Sequence, residues 1–124
     1  MGYYATGCGE IHFRVEIEGG AKQKLLSFYG NSPFDALEVY KEQKPVYLES
    51  GFDQITFEYD DKYHEDEVVS FLKGVAEEIG PIKSGVVEFT GEDAERWRFL
   101  WKNGRWVEQN ATIVYEDVPG GWII

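Results

Sequence analysis

The stretch that decides the fold is Glu-Ile-His-Phe-Arg-Val-Glu-Ile-Glu, residues 10–18, where apolar and polar side chains alternate without a break. The apolar members are Ile11, Phe13, Val15 and Ile17. Successive side chains of an extended strand point to opposite faces, so this alternation is typical of a strand with one buried face. We therefore predict a half-buried strand, which Gly19-Gly20 ends.

A second alternating stretch, residues 54–59, places Ile55, Phe57 and Tyr59 on one side of a strand. After Asp60-Asp61, three acids crowd the first turn of a predicted helix, where the helix dipole favours negative charge. They are Glu65, Asp66 and Glu67. Apolar residues then recur at intervals of three and four, and Gly80-Pro81 stops the helix. These residues are Val68, Phe71, Leu72, Val75, Ala76 and Ile79.

Residues 31–44 predict another helix, earlier in the chain. Ser32 can cap it, Pro33 is tolerated at its first position, and Asp35 lies near the positive end of its dipole. Its apolar face would consist of Phe34, Leu37 and Tyr40. Lys44-Pro45 ends it, because the residue before a proline disfavours the α conformation. The preceding residues 21–29 have no clean period and stay open as strand or loop.

Three strands are predicted at the end of the chain, at residues 86–90, 96–102 and 105–115. Between the last two, Asn103-Gly104 is a two-residue sequence that favours a primed hairpin turn. This turn sets the register, with Lys102 opposite Arg105, Trp101 opposite Trp106 and Leu100 opposite Val107. One face of the hairpin would then carry Trp97, Phe99, Trp101 and Trp106.

These elements predict an α+β fold. We expect a single domain over residues 1–124, with a mostly antiparallel sheet, two helices packed on one face and a C-terminal three-stranded meander. No linker or repeat interrupts the chain.

The charge of the chain limits its partners. Twelve Lys and Arg against 23 Asp and Glu give a net charge of −11. Direct binding to nucleic acid or to an anionic membrane is therefore unfavourable, and a large charged partner should be basic. With one cysteine, no stretch typical of a secretion signal and no apolar run of membrane-spanning length, we expect a cytoplasmic protein.

Catalytic candidates are weak. Cys8 lies in Thr6-Gly7-Cys8-Gly9, but neither His12 nor His64 forms a cysteine–histidine signature with it. The carboxylates of Glu92, Asp93 and Glu95 could act as acid and base, although a loop collects acids for solubility just as readily. Phosphate-binding loops and nucleophile elbows are absent from the sequence. We predict no enzyme and no cofactor.

The densest acidic run surrounds His64. It consists of Glu58, Asp60, Asp61, Glu65, Asp66 and Glu67. Oxygen ligands suit magnesium and calcium, yet the run lacks the glycine and the alternation of a calcium loop. Cysteines and histidines at zinc spacing are also missing from the sequence. We predict no metal site, which leaves a solvated surface or a partner-binding acidic face as interpretations.

Three of the four tryptophans fall in the predicted hairpin, at Trp97, Trp101 and Trp106. Tryptophan is enriched both in well-packed cores and where proteins meet partners. If their face were exposed, the neighbouring basic residues would complete a basic aromatic patch suited to a partner or a small anionic ligand. Those residues are Arg96, Arg98, Lys102 and Arg105. A hydrophobic core is the other interpretation.

Two segments carry a resemblance to a known group of proteins. The chain begins Met-Gly-Tyr-Tyr, and residues 89–99 read Phe-Thr-Gly-Glu-Asp-Ala-Glu-Arg-Trp-Arg-Phe, followed by Asn103-Gly104 and by Ala-Thr-Ile-Val-Tyr-Glu at 111–116. It resembles small uncharacterised proteins of bacteriophages and mobile elements that begin MGYY and carry a GED-x-ERWR hairpin. The resemblance covers the start and about the last third, whereas residues 20–60 differ from that pattern.

This resemblance implies a phage or prophage setting and no catalytic residues. One hypothesis is a non-enzymatic inhibitor of host defence in the host cytoplasm, whose acidic run mimics nucleic acid and occupies the groove of a basic protein. Another is a sponge that sequesters a small anionic or nucleotide ligand through Arg96, Trp97, Arg98 and Trp101. A structural or accessory protein is the third alternative. Monomer and dimer both remain open.

Overall fold

The computed structural model describes residues 3–18, 21, 23–25, 27, 32–47, 50–111 and 116–124. Its strands are β1 (Tyr4–Ile17), β2 (Asp35–Lys41), β3 (Lys44–Val46), β4 (Phe52–Lys62), β5 (Ile82–Gly91), β6 (Arg96–Lys102) and β7 (Arg105–Asn110). Helix α1 (Glu65–Gly74) continues into a π-helical turn, Val75–Ile79. Residues 21, 23–25 and 27 are also helical. No helix in the described part of the chain is long and apolar enough to cross a membrane.

The strands form one sheet in the order β3-β2-β4-β1-β5-β6-β7. All described pairings are antiparallel. The 14-residue strand β1 lies in the middle, where Ala5 pairs with Asp61 of β4 on one side and with Gly91 of β5 on the other. The expected α+β fold, with a mostly antiparallel sheet and two helices, is thereby confirmed.

Glycines let aromatic rings pack closely over the middle of β1. A Cβ atom at Gly9 would lie 2.5 Å from Cε2 of Phe57, and one at Gly7 would lie 2.9 Å from Cδ1 of Phe89 and 2.4 Å from a backbone carbonyl oxygen. All three distances are far below van der Waals contact. These glycines are therefore required by the close approach of neighbouring groups, which accounts for the Thr6-Gly7-Cys8-Gly9 sequence without any substrate.

The hydrophobic core lies on one face of the sheet. In β1, Ile11, Phe13 and Ile17 are buried, as the alternation of residues 10–18 predicts, but Val15 is 53% exposed. The register of β1 against β4 shifts between His12 and Ile17, so the alternation is interrupted there. Aromatic rings join the sheet to α1, since Phe57 lies 5.5 Å from Phe71 between ring centroids. The core members from α1 and its extension are Val68, Phe71, Leu72, Val75 and Ile79, in agreement with the apolar periodicity.

The predicted helix over residues 31–44 is wrong, because β2 and β3 occupy this region. Ser32 does accept a hydrogen bond from the Phe34 N–H (2.9 Å), which is the bond a helix cap would make. The chain then extends, and Val39 pairs with Ile55 of β4. Backbone pairing with β4 thus overrides the local cap signal, and Pro45 lies in an edge strand, where a missing N–H is tolerated.

Phe34 keeps a core role despite this change of structure. Its ring centroid lies 4.5 Å from that of Phe57 and 5.1 Å from that of Phe71. The stretch 21–29, left open as strand or loop, is helical at residues 21, 23–25 and 27, and Leu25 is fully buried. Gly19-Gly20 and residues 112–115, the latter part of the predicted last strand, lie outside the described residues.

The hairpin β6–β7 has the register that Asn103-Gly104 predicts. Lys102 pairs with Arg105, and Trp101 pairs with Trp106. Both turn residues have positive φ, 54° at Asn103 and 77° at Gly104, as a type I′ turn requires. A second turn of this kind joins β2 to β3, but there the positive φ values, 50° and 67°, fall on Glu42 and Gln43.

We expect the double substitution Glu42→Asn, Gln43→Gly to stabilise the fold by about 1 kcal/mol, because a left-handed conformation costs most side chains about that much per residue. The free energy of unfolding in urea measures the effect. The reverse change in the other turn, Asn103→Glu with Gly104→Gln, is the matched control and should destabilise by a similar amount. If both double substitutions changed the free energy of unfolding in the same direction, the conclusion that both turns are of the same primed type would be contradicted.

Candidate functional site

The face of the sheet opposite the core is open and rich in carboxylates. Its side chains are the alternate residues of each strand, such as Thr6, Cys8 and Glu10 on β1. The strand register brings Cys8 level with Glu58 on β4 and with Glu88 on β5. Because neighbouring strands lie about 4.8 Å apart, Glu58 and Glu88 flank the thiol from both sides.

These side chains line a shallow groove of about 340 Å³ across four strands. Its glutamates are Glu10, Glu38, Glu58 and Glu88. Glu38 accepts a hydrogen bond from the Tyr40 hydroxyl (2.8 Å), and the pKa of this tyrosine is raised mainly by that contact. Within the described residues, no group of three or more potential ligands is arranged to hold a metal ion. The groove is therefore a negatively charged surface with an exposed thiol, Cys8, at its centre.

The six acids predicted to form one acidic face lie in two different parts of the structure. Glu58 and Asp60 lie on the open face of β4 by strand alternation, whereas Asp61, one residue further, has the opposite parity and pairs with the buried Ala5. The other three acids, Glu65, Asp66 and Glu67, form the first turn of α1. Glu10, Glu38 and Glu88 join Glu58 instead, and these neighbours were not predicted because their register depends on distant strands.

A carboxyl pair links the start of α1 to the last described strand. Glu108 of β7 shares a hydrogen bond with Glu65, and this bond is the main reason that the pKa of Glu108 is raised above its ordinary value of 4.5. Burial and repulsion from Glu65 act in the same direction. A carboxyl group can donate such a bond only while it carries its proton, so the contact favours the protonated form of Glu108. This contact joins the acidic helix start to the hairpin.

A second groove, of about 620 Å³, lies along β5, β6 and β7 and is basic in part. Its lining includes Arg96, Trp97 and Arg98, three of the four residues predicted for the anionic ligand. The Arg98 guanidinium donates from Nε to Oε1 of Gln109 (2.7 Å), and its Nη1 lies 3.6 Å from Oε1 of Glu88. Arg98 is thus held in place at the boundary between the basic groove and the glutamates.

The three hairpin tryptophans pack against the hydrophobic core and are half-buried. The Trp97 ring stacks on Phe89, with centroids 5.5 Å apart and planes 15° from parallel. Trp106 donates from Nε1 to the Leu72 carbonyl (3.0 Å) and so ties the hairpin to α1. Trp101 lines a different groove from the two arginines. The core interpretation of the tryptophans therefore fits their positions, and the four predicted ligand residues do not meet in one place.

Two polar groups in the aromatic cluster lack hydrogen bonds within the described part of the chain. The Tyr63 hydroxyl and the Trp97 indole N–H are buried without a hydrogen bond to any described residue. Their rings meet edge to face at 4.9 Å between centroids. Burial raises the pKa of Tyr63 to about 12, so its hydroxyl stays protonated at neutral pH.

The two halves of the resembling sequence meet in the structure. The Tyr3 hydroxyl donates to Oε1 of Glu95 (3.0 Å) and accepts from the Asp93 N–H (3.2 Å). The Tyr4 N–H donates to Oε1 of Glu92 (3.3 Å). A Cβ atom at Gly91 would lie 2.3 Å from the Tyr3 hydroxyl, so a larger residue there would displace the Tyr3 ring from these contacts. The carboxylates of Glu92 and Glu95, two of the three acids considered above for catalysis, and the backbone N–H of Asp93 thus hold the start of the chain against the β5–β6 turn.

Comparison with known proteins yields no relative, since no family model, no curated protein and no solved structure matches the chain.

The Glu65–Glu108 pair predicts a pH-dependent stability. The pKa of Glu108 is raised on folding, so the folded state binds protons more tightly than the unfolded state. The stabilisation by this proton is fully present below the unfolded-state pKa of Glu108, and it is lost as the pH rises through the folded-state pKa. Glu108→Gln keeps a donor to Glu65 at every pH. We expect its melting temperature to exceed that of the wild type by a margin that grows as the pH rises above the ordinary glutamate pKa of 4.5.

Glu78→Gln is the matched control, since Glu78 is an exposed glutamate on the π-helical turn. Its difference from the wild type should vary much less with pH. A Glu108→Gln margin that stays constant across the pH range would contradict the shared proton.

Proposed function

We propose that the chain is a small non-enzymatic binding protein whose carboxylates imitate nucleic acid and occupy the cleft of a basic protein. The setting that we propose is a phage-infected or prophage-carrying cell, in whose cytoplasm the chain inhibits a nucleic-acid-binding protein of host defence. The observation that carries the proposal is the row of glutamates across the open face, Glu10, Glu38, Glu58 and Glu88, extended along β4 by Asp60.

The acids of β4 and of the α1 start support this proposal because they lack intramolecular cations. Within the described residues, neither Glu58 nor Asp60 forms an ion pair, and the same holds for Asp61 and for residues 65–67. Unpaired carboxylates on a surface keep their charge available to a partner. Combined with a net charge of −11, they create a field that speeds encounter with a basic cleft.

The spacing of the carboxylates on the open face also suits contact with a partner surface that normally binds phosphate groups. Carboxylates two residues apart on β4, such as Glu58 and Asp60, are separated by about 6.6 Å along the strand, and those on alternate strands by about 10 Å. The face therefore presents charge in two directions rather than as a single line. A flat charged face of this kind can cover a basic cleft, since phosphate-binding proteins position nucleic acid mainly through Lys and Arg.

Retention of bacterial nucleic-acid-binding proteins tests the proposal. The immobilised chain is exposed to the fraction of a bacterial lysate that binds duplex DNA, and retained proteins are eluted with rising NaCl. We expect retention at about 50 mM salt, loss by about 500 mM as the charges are screened, and displacement by free duplex DNA. The double variant Glu58→Gln, Asp60→Asn should weaken retention of the bound protein at least about tenfold.

The matched control is Glu77→Gln with Glu78→Gln, which changes net charge by the same amount on the helical side of the molecule. It should bind like the wild type. Binding that ignores salt would contradict the proposal, and so would equal losses in both double variants, because the arrangement of the open face would then have no role.

The Arg96–Arg98 groove favours a second candidate function, the sequestration of a small anionic ligand such as a nucleotide. Arg96 forms no ion pair with any described residue, and Arg98 is oriented by Gln109. The groove volume of about 620 Å³ falls in the usual range for small-molecule sites, about 300–1,000 Å³. Paired arginines and amide side chains are typical of phosphate recognition.

Thermal shifts with a panel of phosphate, pyrophosphate, mononucleotides and cyclic dinucleotides test this second function. A ligand at about 100 times its dissociation constant should stabilise the fold by about 2.7 kcal/mol. Arg96→Gln with Arg98→Gln should abolish the shift, whereas Lys102→Gln, at the far end of β6, should retain it. No shift with any member of the panel, or a shift that survives the arginine substitutions, would rule this function out.

A further inference from the structure

Residues 116–124 carry large apolar side chains that are almost wholly exposed. Trp122 is 92% exposed and Ile123 is 98% exposed, and Val118 and Ile124 are exposed as well. Two acids, Glu116 and Asp117, precede them. Single exposed apolar residues are ordinary on a protein surface, but several large ones together mark a contact surface. This segment, residues 116–124, is called the apolar tail below.

A groove of complementary charge lies between α1 and the β6–β7 hairpin. Its volume is about 400 Å³, and its apolar lining includes Leu72, Phe99, Trp101 and Trp106. Val69 forms part of the groove and is 42% exposed although it is a large hydrophobic residue. This helix–hairpin groove can accept an aromatic and an aliphatic side chain, because its size and lining are those of an ordinary apolar binding pocket.

Two cations distinguish this groove from the acidic open face. Lys73 and Arg105 line it and form no ion pair within the described residues. Glu77 is the acid in the lining. The groove therefore combines half-buried tryptophans with two cations, and the apolar tail combines Trp122 and its neighbours with two acids. The two surfaces are alike in apolar character and opposite in charge.

We propose that the apolar tail of one chain inserts into the helix–hairpin groove of a second copy, with Glu116 and Asp117 facing Lys73 and Arg105. The tail is not seated on its own body, since its side chains are almost wholly exposed there. Reciprocal exchange of two tails gives a closed dimer with two equivalent contacts, which is the commonest symmetry of soluble assemblies. The proposal is independent of the function of the open face, which stays free in such a dimer.

Sedimentation equilibrium of the full chain tests the proposal. At about 100 μM, where a complex with a dissociation constant near 1 μM is almost fully formed, we expect twice the chain mass of 14.3 kDa. The tail variant Trp122→Ser, Ile123→Ser, Ile124→Ser should sediment at the mass of one chain. Its control is Tyr47→Ser, which removes another exposed aromatic side chain (82% exposed) and should remain dimeric.

The groove variant Val69→Glu should also sediment as one chain, while Val15→Glu, the same change at another exposed valine, should not. An equimolar mixture of the tail variant and the groove variant should recover a dimer through its one intact contact. Lys73→Glu should weaken association at least about tenfold, and Asp117→Lys in the same chain should restore it.

Three results would overturn the proposal. They are a wild-type chain that sediments at 14.3 kDa, a dimer that survives both the tail and the groove variants, and a failure of the mixture to associate. If the wild type sediments as a single chain and the groove variant changes its tryptophan fluorescence, the tail lies in the groove of its own chain. That result also excludes the exchange of tails between two chains. None of these results bears on whether the open face binds a basic protein.

Discussion

The structure depends on β1 being paired on both sides while aromatic rings pack against its backbone. Gly7 and Gly9 remove the side chains that would keep Phe57 and Phe89 away from the strand. The rings then form a continuous layer with Phe34 and Phe71, which joins the sheet to α1. Any side chain at these glycines would separate the layers or twist the central strand. The positions of Gly7 and Gly9 are therefore tightly constrained, whereas the exposed positions of the same strand are free to carry charge.

The surface chemistry follows from this arrangement. Since one face of β1, β4 and β5 is committed to the core, their alternate residues are forced onto the other face, and the register brings Glu10, Glu58 and Glu88 close together. The same alternation on β6 sends Arg96 and Arg98 to one side and Trp97 to the core. The proposed acidic surface and the proposed anion groove are thus two ends of a single face, and Arg98–Glu88 marks their boundary.

Local sequence patterns correctly predicted the strands, helix and turn whose local conformational preference is the one they adopt in the folded chain. This is true of the alternating strands at 10–18 and 54–59, of the helix after Glu65 and of the turn at Asn103-Gly104. The helix predicted over 31–44 failed because Ser32 makes the same hydrogen bond in a turn as in a cap, and only pairing with β4 decides between them. The acids of β4 were found in the sequence. Their cross-strand neighbours were not, since the register between strands tens of residues apart leaves no local signal. The apolar tail was missed as well, although Trp122-Ile123-Ile124 is visible in the sequence.

The position of β1 has a consequence for how the protein is made. The strand at the centre of the sheet is synthesised before both of its neighbours, since β4 begins at residue 52 and β5 at residue 82. On the ribosome, an amphipathic strand with both hydrogen-bonding edges open must therefore wait until most of the chain has emerged. Folds dominated by contacts between residues far apart in sequence form slowly, and their folding intermediates are prone to aggregation. Chaperones that shield nascent chains would accordingly influence the yield of this protein more than that of a helical protein of equal length.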